Sequence, residues 1–138
     1  MTFRTEMFIT RAMVRAERNT LFVFGDNMKG AGRGGQAASM RGEPNTVGIP
    51  TKWGPYSTDS AYFADTDFDI VSPVIHARFQ LLTNHLAAGG DVVWPVDGVG
   101  TGRAELQARA PRIWTLIDTL RALLEGTNND ATGGGSTG

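Results

Sequence analysis

The stretch LFVFGDNMKGAGRGGQAASMR, residues 21–41, joins an apolar run to a glycine-rich loop and the opening of a helix. Leu21 to Gly25 is short, apolar and rich in β-forming residues, which is typical of a strand covered on both faces. Four glycines follow at positions 30, 32, 34 and 35, and the pattern predicts a helix that opens around Gly34 or Gly35. A buried strand, a loop and a helix in this order indicate an α/β protein.

The same alternation continues along the chain. Val92 to Val96 predicts a second strand, Thr46 to Pro50 a third, and a short helix is expected after Thr10. Ser72 and Pro73 form a favourable N-cap and first-residue pair for a longer helix. Apolar stripes mark this helix and a final one, at Ile75, Phe79, Leu82 and Leu86 and at Ile113, Ile117, Leu120 and Leu124. We therefore predict a three-layer α/β/α sandwich with a mixed, mainly parallel sheet.

Length and composition indicate one domain. A chain of 138 residues with 41% hydrophobic residues buries one substantial core, which we assign to residues 1–126. Residues 127–138 read TNNDATGGGSTG, and a stretch so polar and glycine-rich is expected to form a flexible tail.

Charge and residue usage exclude several classes of function. A formal net charge of -1 gives no general attraction for nucleic acid or anionic lipid, so any phosphate recognition must be local. The absence of cysteine removes disulfides, thiolate nucleophiles and cysteine-based zinc sites. No apolar run at the N-terminus exceeds three residues, which predicts neither a signal peptide nor a membrane association. We expect a cytoplasmic protein.

Two glycine loops carry the functional signal. Glycines adopt positive φ and leave backbone N–H groups unobstructed, so the loop after Leu21–Gly25 predicts a concave anion site. A second loop, DGVGTGR at residues 97–103, follows the strand Val92–Val96. Two such loops at strand ends can hold one diphosphate from two sides of a cleft. Lys29, Arg33 and Arg103 lie beside the loops and can either add charge there or serve as ordinary surface cations.

Other phosphate and metal motifs fit poorly. Gly30, Gly32 and Gly35 satisfy G-x-G-x-x-G, but the next strand ends in Thr51-Lys52 rather than in an acidic ribose ligand, which disfavours a Rossmann site. The P-loop motif is absent. His76 and His85 lack the spacing of a zinc site, and the Asp65 to Asp69 run lacks the glycine of a calcium loop. We predict no metal and no cofactor.

At this point the residues resemble a macro domain, specifically a divergent macro-like family of small bacterial and phage proteins. In that family a strand ends in an Asn-containing turn before a glycine loop, which is similar to Gly25-Asp26-Asn27 and the glycines after it. Pro95 to Gly100 is similar to the family's second loop. The resemblance covers roughly residues 20–125 and is specific in these loops. It implies binding of ADP-ribose, with Asn27 contacting the distal ribose.

The resemblance also implies a set of ligand-binding residues and an enzymatic activity. The implied ligand-binding residues are Gly25, Asp26, Asn27, Gly30, Gly32, Arg33, Gly34, Gly35, Gly98, Val99, Gly100, Thr101 and Gly102. Thr51-Lys52 is similar to the strand end of a subgroup that removes ADP-ribose with a Lys and an Asp. That Asp is replaced here by Gly102 or Arg103, so Asp97, or less favourably Glu105, would have to act in its place.

Three hypotheses for the function stay open. The first is an ADP-ribosyl hydrolase with Lys52 and Asp97 as catalytic residues, acting on an ADP-ribosylated macromolecule. The second is a non-catalytic reader or sponge of ADP-ribose or a related nucleotide. The third is an adaptor domain whose loops are empty. Tyr62, Phe63 or Trp53 can either stack on a base or anchor the core.

Overall fold

The computed structural model describes residues 2–102 and 104–137, and the side chains of residues 2–102 and 104–127. A sheet of four strands occupies its centre, in the order β1-β4-β2-β3. The strands are β1 Phe3–Glu6, β2 Thr20–Asn27, β3 Thr46–Lys52 and β4 Asp91–Pro95. The three strands expected from the apolar runs are therefore confirmed, and β1 is an addition. Its sequence, FRTE, buries only Phe3 fully and gives no apolar run.

All neighbouring strands are parallel. Within the described ranges, the antiparallel part of the expected mixed sheet is confined to one isolated bridge between Lys52 and Tyr62. Because the strands run the same way, their carboxyl ends meet at one edge of the sheet. The loops that follow β2, β3 and β4 therefore share that edge.

Helices cover both faces of the sheet and confirm the three-layer α/β/α architecture. The helices are α1 Arg11–Ala16, α2 Ala37–Met40, α3 Phe68–Ala87, α4 Leu106–Arg109 and α5 Pro111–Thr137. One core joins α3, α4 and α5 to sheet residues such as Val23 and Trp94. A smaller core joins α1 and α2 to Phe22, Phe24 and Val93. Adjacent residues of β2 and β4 thus face opposite layers, as the twofold alternation of a strand requires.

Helix α3 begins earlier than the sequence indicates. The prediction that Ser72 and Pro73 open the helix is wrong, since α3 starts at Phe68 and contains Pro73. Proline removes one backbone donor near the helix start, and the extra turn buries Val71 and packs Phe68 against the core. The carboxylate of Asp67 accepts from the Ala64 N–H at 2.8 Å just before this turn.

Pro111 is the first residue of α5, and the short helix α4 ends before it at Arg109. Asp65 accepts from the backbone N–H of Arg112 at 3.0 Å, so a residue of the acidic run caps this helix. The backbone of α5 is helical to Thr137. The side chains of residues 128–138 lie outside the described part of the chain, and the flexible tail over 127–138 stays a prediction.

Among the described residues, no helix combines the length and the apolar character needed to cross a membrane.

Candidate functional site

The loops that follow β2, β3 and β4 enclose one cleft of about 300 Å³ at the carboxyl edge of the sheet. Its volume lies at the lower end of the range typical of ligand sites. Both glycine-rich loops line it, together with the predicted catalytic residues Lys52 and Asp97. The other predicted residues in its wall are Gly25, Asp26, Asn27, Gly32, Gly34, Gly35, Gly98, Gly100, Thr101 and Gly102. The sequence-based expectation that the two loops converge is thus met by the geometry.

Three predicted site residues lie outside the wall of this cleft: Gly30, Arg33 and Val99. Val99 belongs to the main core and is buried, because the loop after β4 turns its one large apolar side chain inward. Gly30 closes a turn, donating from its N–H to the Asn27 carbonyl oxygen at 3.0 Å. Arg33 is exposed, and Arg103 lies outside the described residues.

Positive φ angles explain why glycine occupies both loops. Gly32 and Gly35 adopt φ values of 95° and 57° in the first loop, and Gly98 and Gly100 adopt 85° and 82° in the second. Residues with a Cβ rarely adopt this conformation. At Gly100 an added Cβ would also lie 2.8 Å from Leu106 Cδ2, so this position excludes a larger residue on two grounds.

The backbone donors and acceptors of the loops are used unequally. The carbonyl oxygens of Gly32, Gly35, Gly98, Gly100 and Gly102 each accept a hydrogen bond from the protein. Within residues 2–102 and 104–137, the N–H groups of Gly32, Gly35, Gly100 and Gly102 donate to no protein acceptor. Free N–H groups beside satisfied carbonyls make a wall that favours anions over cations.

Gln36 ties the two loops together, although sequence analysis did not single it out. Its Oε1 accepts from the Gly25 N–H at 2.7 Å, and its Nε2 donates to the Gly98 carbonyl oxygen at 2.9 Å. The side chain therefore links the end of β2 to the loop after β4. The available sequence signal was a polar residue placed directly after the last glycine of the first loop, at the N-cap of α2.

Arg41 is the second residue that sequence analysis missed. From the end of α2 its Nη2 donates to Asp26 Oδ1 at 2.5 Å and to the Ala31 carbonyl oxygen at 3.2 Å. Its Nε donates to the Gly32 carbonyl oxygen at 2.5 Å. One guanidinium thus fixes both the carboxylate at the base of the first loop and two carbonyls within it.

Asn27 uses its side chain inside its own loop. Its Nδ2 donates to the Ala31 carbonyl oxygen at 2.8 Å, and its Oδ1 accepts from the N–H groups of Lys29 and Ala31. The carboxylate of Asp26 is occupied by Arg41 and by the Asn27 N–H. Both side chains therefore order the loop, and the ribose contact that the resemblance implies for Asn27 stays a prediction.

Lys52 ends β3 with its ammonium group engaged. Its Nζ donates to the Tyr56 carbonyl oxygen at 2.5 Å and lies 4.6 Å from the centre of the Tyr62 ring. Arg109 lies 3.9 Å from the same ring, so cation–π contacts hold Tyr62 from two side chains. No ion pair joins Lys52 to Asp97 in the portion described, although both line the cleft.

Asp97 is exposed, and its carboxylate has no hydrogen-bond or ion-pair partner among the residues described. Its carbonyl oxygen accepts from Thr101 Oγ1 at 2.6 Å, which closes the turn of the second loop. The acidic side chain is therefore available at the cleft while the backbone beneath it is fixed.

The aromatic candidates for base stacking are engaged elsewhere. Phe63 is buried in the main core, where its ring meets Trp53 edge-on at 5.1 Å. Trp53 also donates from Nε1 to Asp67 Oδ2 at 3.2 Å. The ring of Tyr62 makes cation–π contacts with Lys52 and Arg109. Trp53 and Phe63 therefore anchor the fold, which is one of the two roles expected for these rings.

The part of the chain that the structure describes holds no group of three or more His, Cys, Asp or Glu residues arranged to bind a metal ion. No curated protein and no solved structure matches the chain. A protein family described as a family of unknown function, DUF7831, matches residues 4–120, which include β2, β3, β4, all of β1 except Phe3, and both glycine-rich loops. The chain belongs to the DUF7831 family.

Proposed function

We propose that the cleft binds ADP-ribose or a closely related nucleoside diphosphate, with the diphosphate between the two glycine-rich loops. The observation that carries this proposal is the unequal use of the loop backbone. Four N–H groups, those of Gly32, Gly35, Gly100 and Gly102, have no protein acceptor in the described ranges, while the carbonyls of the same glycines are all satisfied. A diphosphate supplies the acceptors that these donors lack.

The four charged side chains that line the cleft, Asp26, Arg41, Lys52 and Asp97, sum to no net charge. Lys52 adds a cation at the end of β3, and Arg41 is neutralised by Asp26. Recognition of phosphate therefore relies on backbone N–H groups more than on a basic surface, as the net charge of -1 leads one to expect.

Calorimetric titration of the purified protein with ADP-ribose, AMP, NAD and inorganic phosphate tests this proposal. Saturable binding of ADP-ribose at one site per chain is the expected result, with weaker binding of inorganic phosphate because it engages only part of the wall. Absence of heat with all four compounds would overturn the proposal and favour the adaptor hypothesis.

A second candidate function is hydrolysis of an ADP-ribosyl linkage in a modified macromolecule. Its support is that Lys52 and Asp97 line the cleft that would hold the diphosphate. In this reaction the bond between the anomeric carbon and the leaving group breaks, water supplies the new hydroxyl group, and its proton goes to the leaving group. Asp97 suits activation of that water, and Lys52 suits stabilisation of the leaving group. In the alternative route the neutral Lys52 amine bonds to the anomeric carbon as the leaving group departs with the amine's proton, and water then hydrolyses the bond between the lysine and the sugar.

Binding and hydrolysis are separated by incubating the protein with an ADP-ribosylated protein or nucleic acid. Release of free ADP-ribose supports the hydrolase. Tight binding of ADP-ribose without release supports the non-catalytic reader, which uses the same cleft.

A further inference from the structure

The cleft depends on two loops that are far apart in the chain and meet through one side chain. Gln36 accepts from Gly25 and donates to Gly98, residues 11 and 62 positions away in sequence. Gly25 and Gly98 both line the cleft, and so does Gln36. No other described side chain hydrogen-bonds to the backbone of β2 and to the loop after β4 at once.

The chemistry of a neutral amide suits this position. The Gly25 N–H needs an acceptor and the Gly98 carbonyl needs a donor, and the amide of Gln36 offers both, at distances of 2.7 and 2.9 Å. A carbonyl oxygen left unpaired beside a phosphate would repel it. The donated hydrogen bond from Gln36 lessens this repulsion and fixes the second loop relative to the first.

We propose that Gln36 is a positioning residue that couples the two glycine-rich loops into one anion site. This inference rests on the proposed binding of a nucleoside diphosphate. It assigns Gln36 no contact with the reacting atoms. Its contribution is to hold the end of β2 and the loop after β4 in a fixed relation, so that Gly35 and Gly100 line the same cleft.

Replacement of Gln36 by Leu and by Asn tests the coupling. Leucine keeps most of the volume without hydrogen bonds, and asparagine keeps the amide but is one methylene too short to reach both partners. We expect each variant to bind ADP-ribose about 10-fold more weakly than the wild type, the equivalent of one to two lost hydrogen bonds. Thermal unfolding of both variants provides the measure of folding.

Gln36→Glu gives a readout that a purely structural role would not produce. The charged groups that line the same cleft are Asp26, Arg41, Lys52 and Asp97. Ionised, the introduced carboxylate still accepts from Gly25 but repels the Gly98 carbonyl and the phosphates. Protonated, it donates to Gly98 and restores the link. We expect weak binding at pH 8 and recovery at pH 4.5 to within about threefold of the wild type at the same pH.

The comparison of Gln36→Glu with Gln36→Leu tests the hydrogen-bonded link itself. At pH 4.5, Gln36→Glu is expected to bind more tightly than Gln36→Leu, because roughly 40% of the introduced carboxyls are protonated at an ordinary pKa and can donate to Gly98, whereas leucine cannot hydrogen-bond at any pH. Equal affinity of the folded Gln36→Leu variant and the wild type would overturn the inference while the proposed function stands. Failure of the wild type to bind ADP-ribose would overturn both.

Discussion

Arg41 and Asp26 form an ion pair at 2.5 Å beneath the first glycine-rich loop, and both side chains are largely shielded from solvent. The same guanidinium donates to the carbonyl oxygens of Ala31 and Gly32. Together with the side chain of Asn27, Arg41 therefore fixes the path of the loop, and it also fixes the position of the carboxylate at the end of β2. Since Gly32 contributes a free N–H to the cleft, the shape of the anion site depends on a residue outside the glycine motif.

Replacing Arg41 by Ala is expected to weaken both folding and binding. It leaves the Asp26 carboxylate without its cationic partner and the Gly32 carbonyl oxygen without its donor, which costs about 2 kcal/mol in the free energy of unfolding. Chemical denaturation measures this loss. Arg121→Ala provides the control, because its ion pairs with Asp118 and Glu125 lie on the surface of α5 and contribute less than about 1 kcal/mol. Equal losses in the two variants would contradict the structural role of Arg41.

Gly25→Ala is expected to reduce binding with little loss of stability. An added Cβ would lie 3.5 Å from Gln36 Oε1 and 3.8 Å from the Gly100 nitrogen, which are ordinary contacts on the floor of the cleft. Gly25 has no positive φ to strain. The methyl group occupies space that the ligand needs, and affinity for ADP-ribose should fall at least about 10-fold, or about 1.4 kcal/mol.

Gly126→Ala is the matched control for this substitution. Gly126 lies in α5 with open space around its Cβ position, and alanine is the better helix former by up to about 1 kcal/mol. It should leave affinity unchanged. If Gly25→Ala binds ADP-ribose as tightly as Gly126→Ala does, the ligand does not occupy this cleft.

Lys52→Ala distinguishes catalysis from binding. If the hydrolase hypothesis holds, the rate of ADP-ribose release falls by about 100-fold or more while affinity changes little. Asp97→Asn should reduce the rate in a similar way. Arg109→Ala, which removes the other cation from the Tyr62 ring without touching the cleft wall, is the control and should retain activity. Full activity of Lys52→Ala would remove Lys52 from the mechanism.

Acid sensitivity should depend on Glu43. Hydrogen bonds from Arg11, with further ones from Arg18 and Arg15, lower the pKa of the Glu43 carboxyl from 4.5 to about 2. The side chain is only 6% exposed. Because its folded pKa is depressed, the carboxylate contributes stability above pH 4.5, and this contribution is lost as the pH falls towards 2.

The corresponding measurement is the free energy of unfolding between pH 6 and pH 2.5 for the wild type and for Glu43→Gln. The wild type should lose more stability on acidification, so the difference between the two proteins narrows as the pH falls. A constant difference across this range would show that the arginines do not favour the ionised form.

Truncation of Phe63 should lower the free energy of unfolding strongly, whereas truncation of Phe8 should hardly change it. Phe63 is 1% exposed in the main core, and Phe63→Ala is expected to cost about 3–5 kcal/mol in the free energy of unfolding. Phe8 is 85% exposed, so Phe8→Ala should change stability by less than about 0.5 kcal/mol. Urea denaturation checks both values. A small effect at Phe63 would restore it as a candidate for base stacking.

The sequence predicts those parts of the fold that depend on local pattern. Apolar runs give β2, β3 and β4, and the residues at spacings of three and four give the buried stripes of α3 and α5. β1 is not predicted from the sequence, because an edge strand with one buried side chain has no apolar run or apolar alternation of its own. The start of α3 is predicted too late in the sequence. Pro73 favours the first turn of a helix, whereas packing of Val71 extends the helix towards its N-terminus, to Phe68.

The candidate site likewise contains residues that the sequence predicts and residues that only the fold reveals. The glycines are visible in sequence because positive φ restricts the residue type at each position. Gln36 and Arg41 are not visible, since each acts through partners brought close only by the fold, such as Gly98 for Gln36. The loops converge because the carboxyl ends of the parallel strands share one edge of the sheet. This convergence is established by the sheet order β1-β4-β2-β3, which places β4 beside β2.

If one diphosphate contacts both loops, the backbone amides of the loop glycines report on it directly. In a titration of the isotope-labelled protein with ADP-ribose, followed by amide NMR spectra, the signals of Gly32, Gly35, Gly100 and Gly102 are expected to shift together. All four should give the same dissociation constant. Shifts confined to one loop, or to residues remote from the cleft, would contradict binding of one diphosphate by both loops.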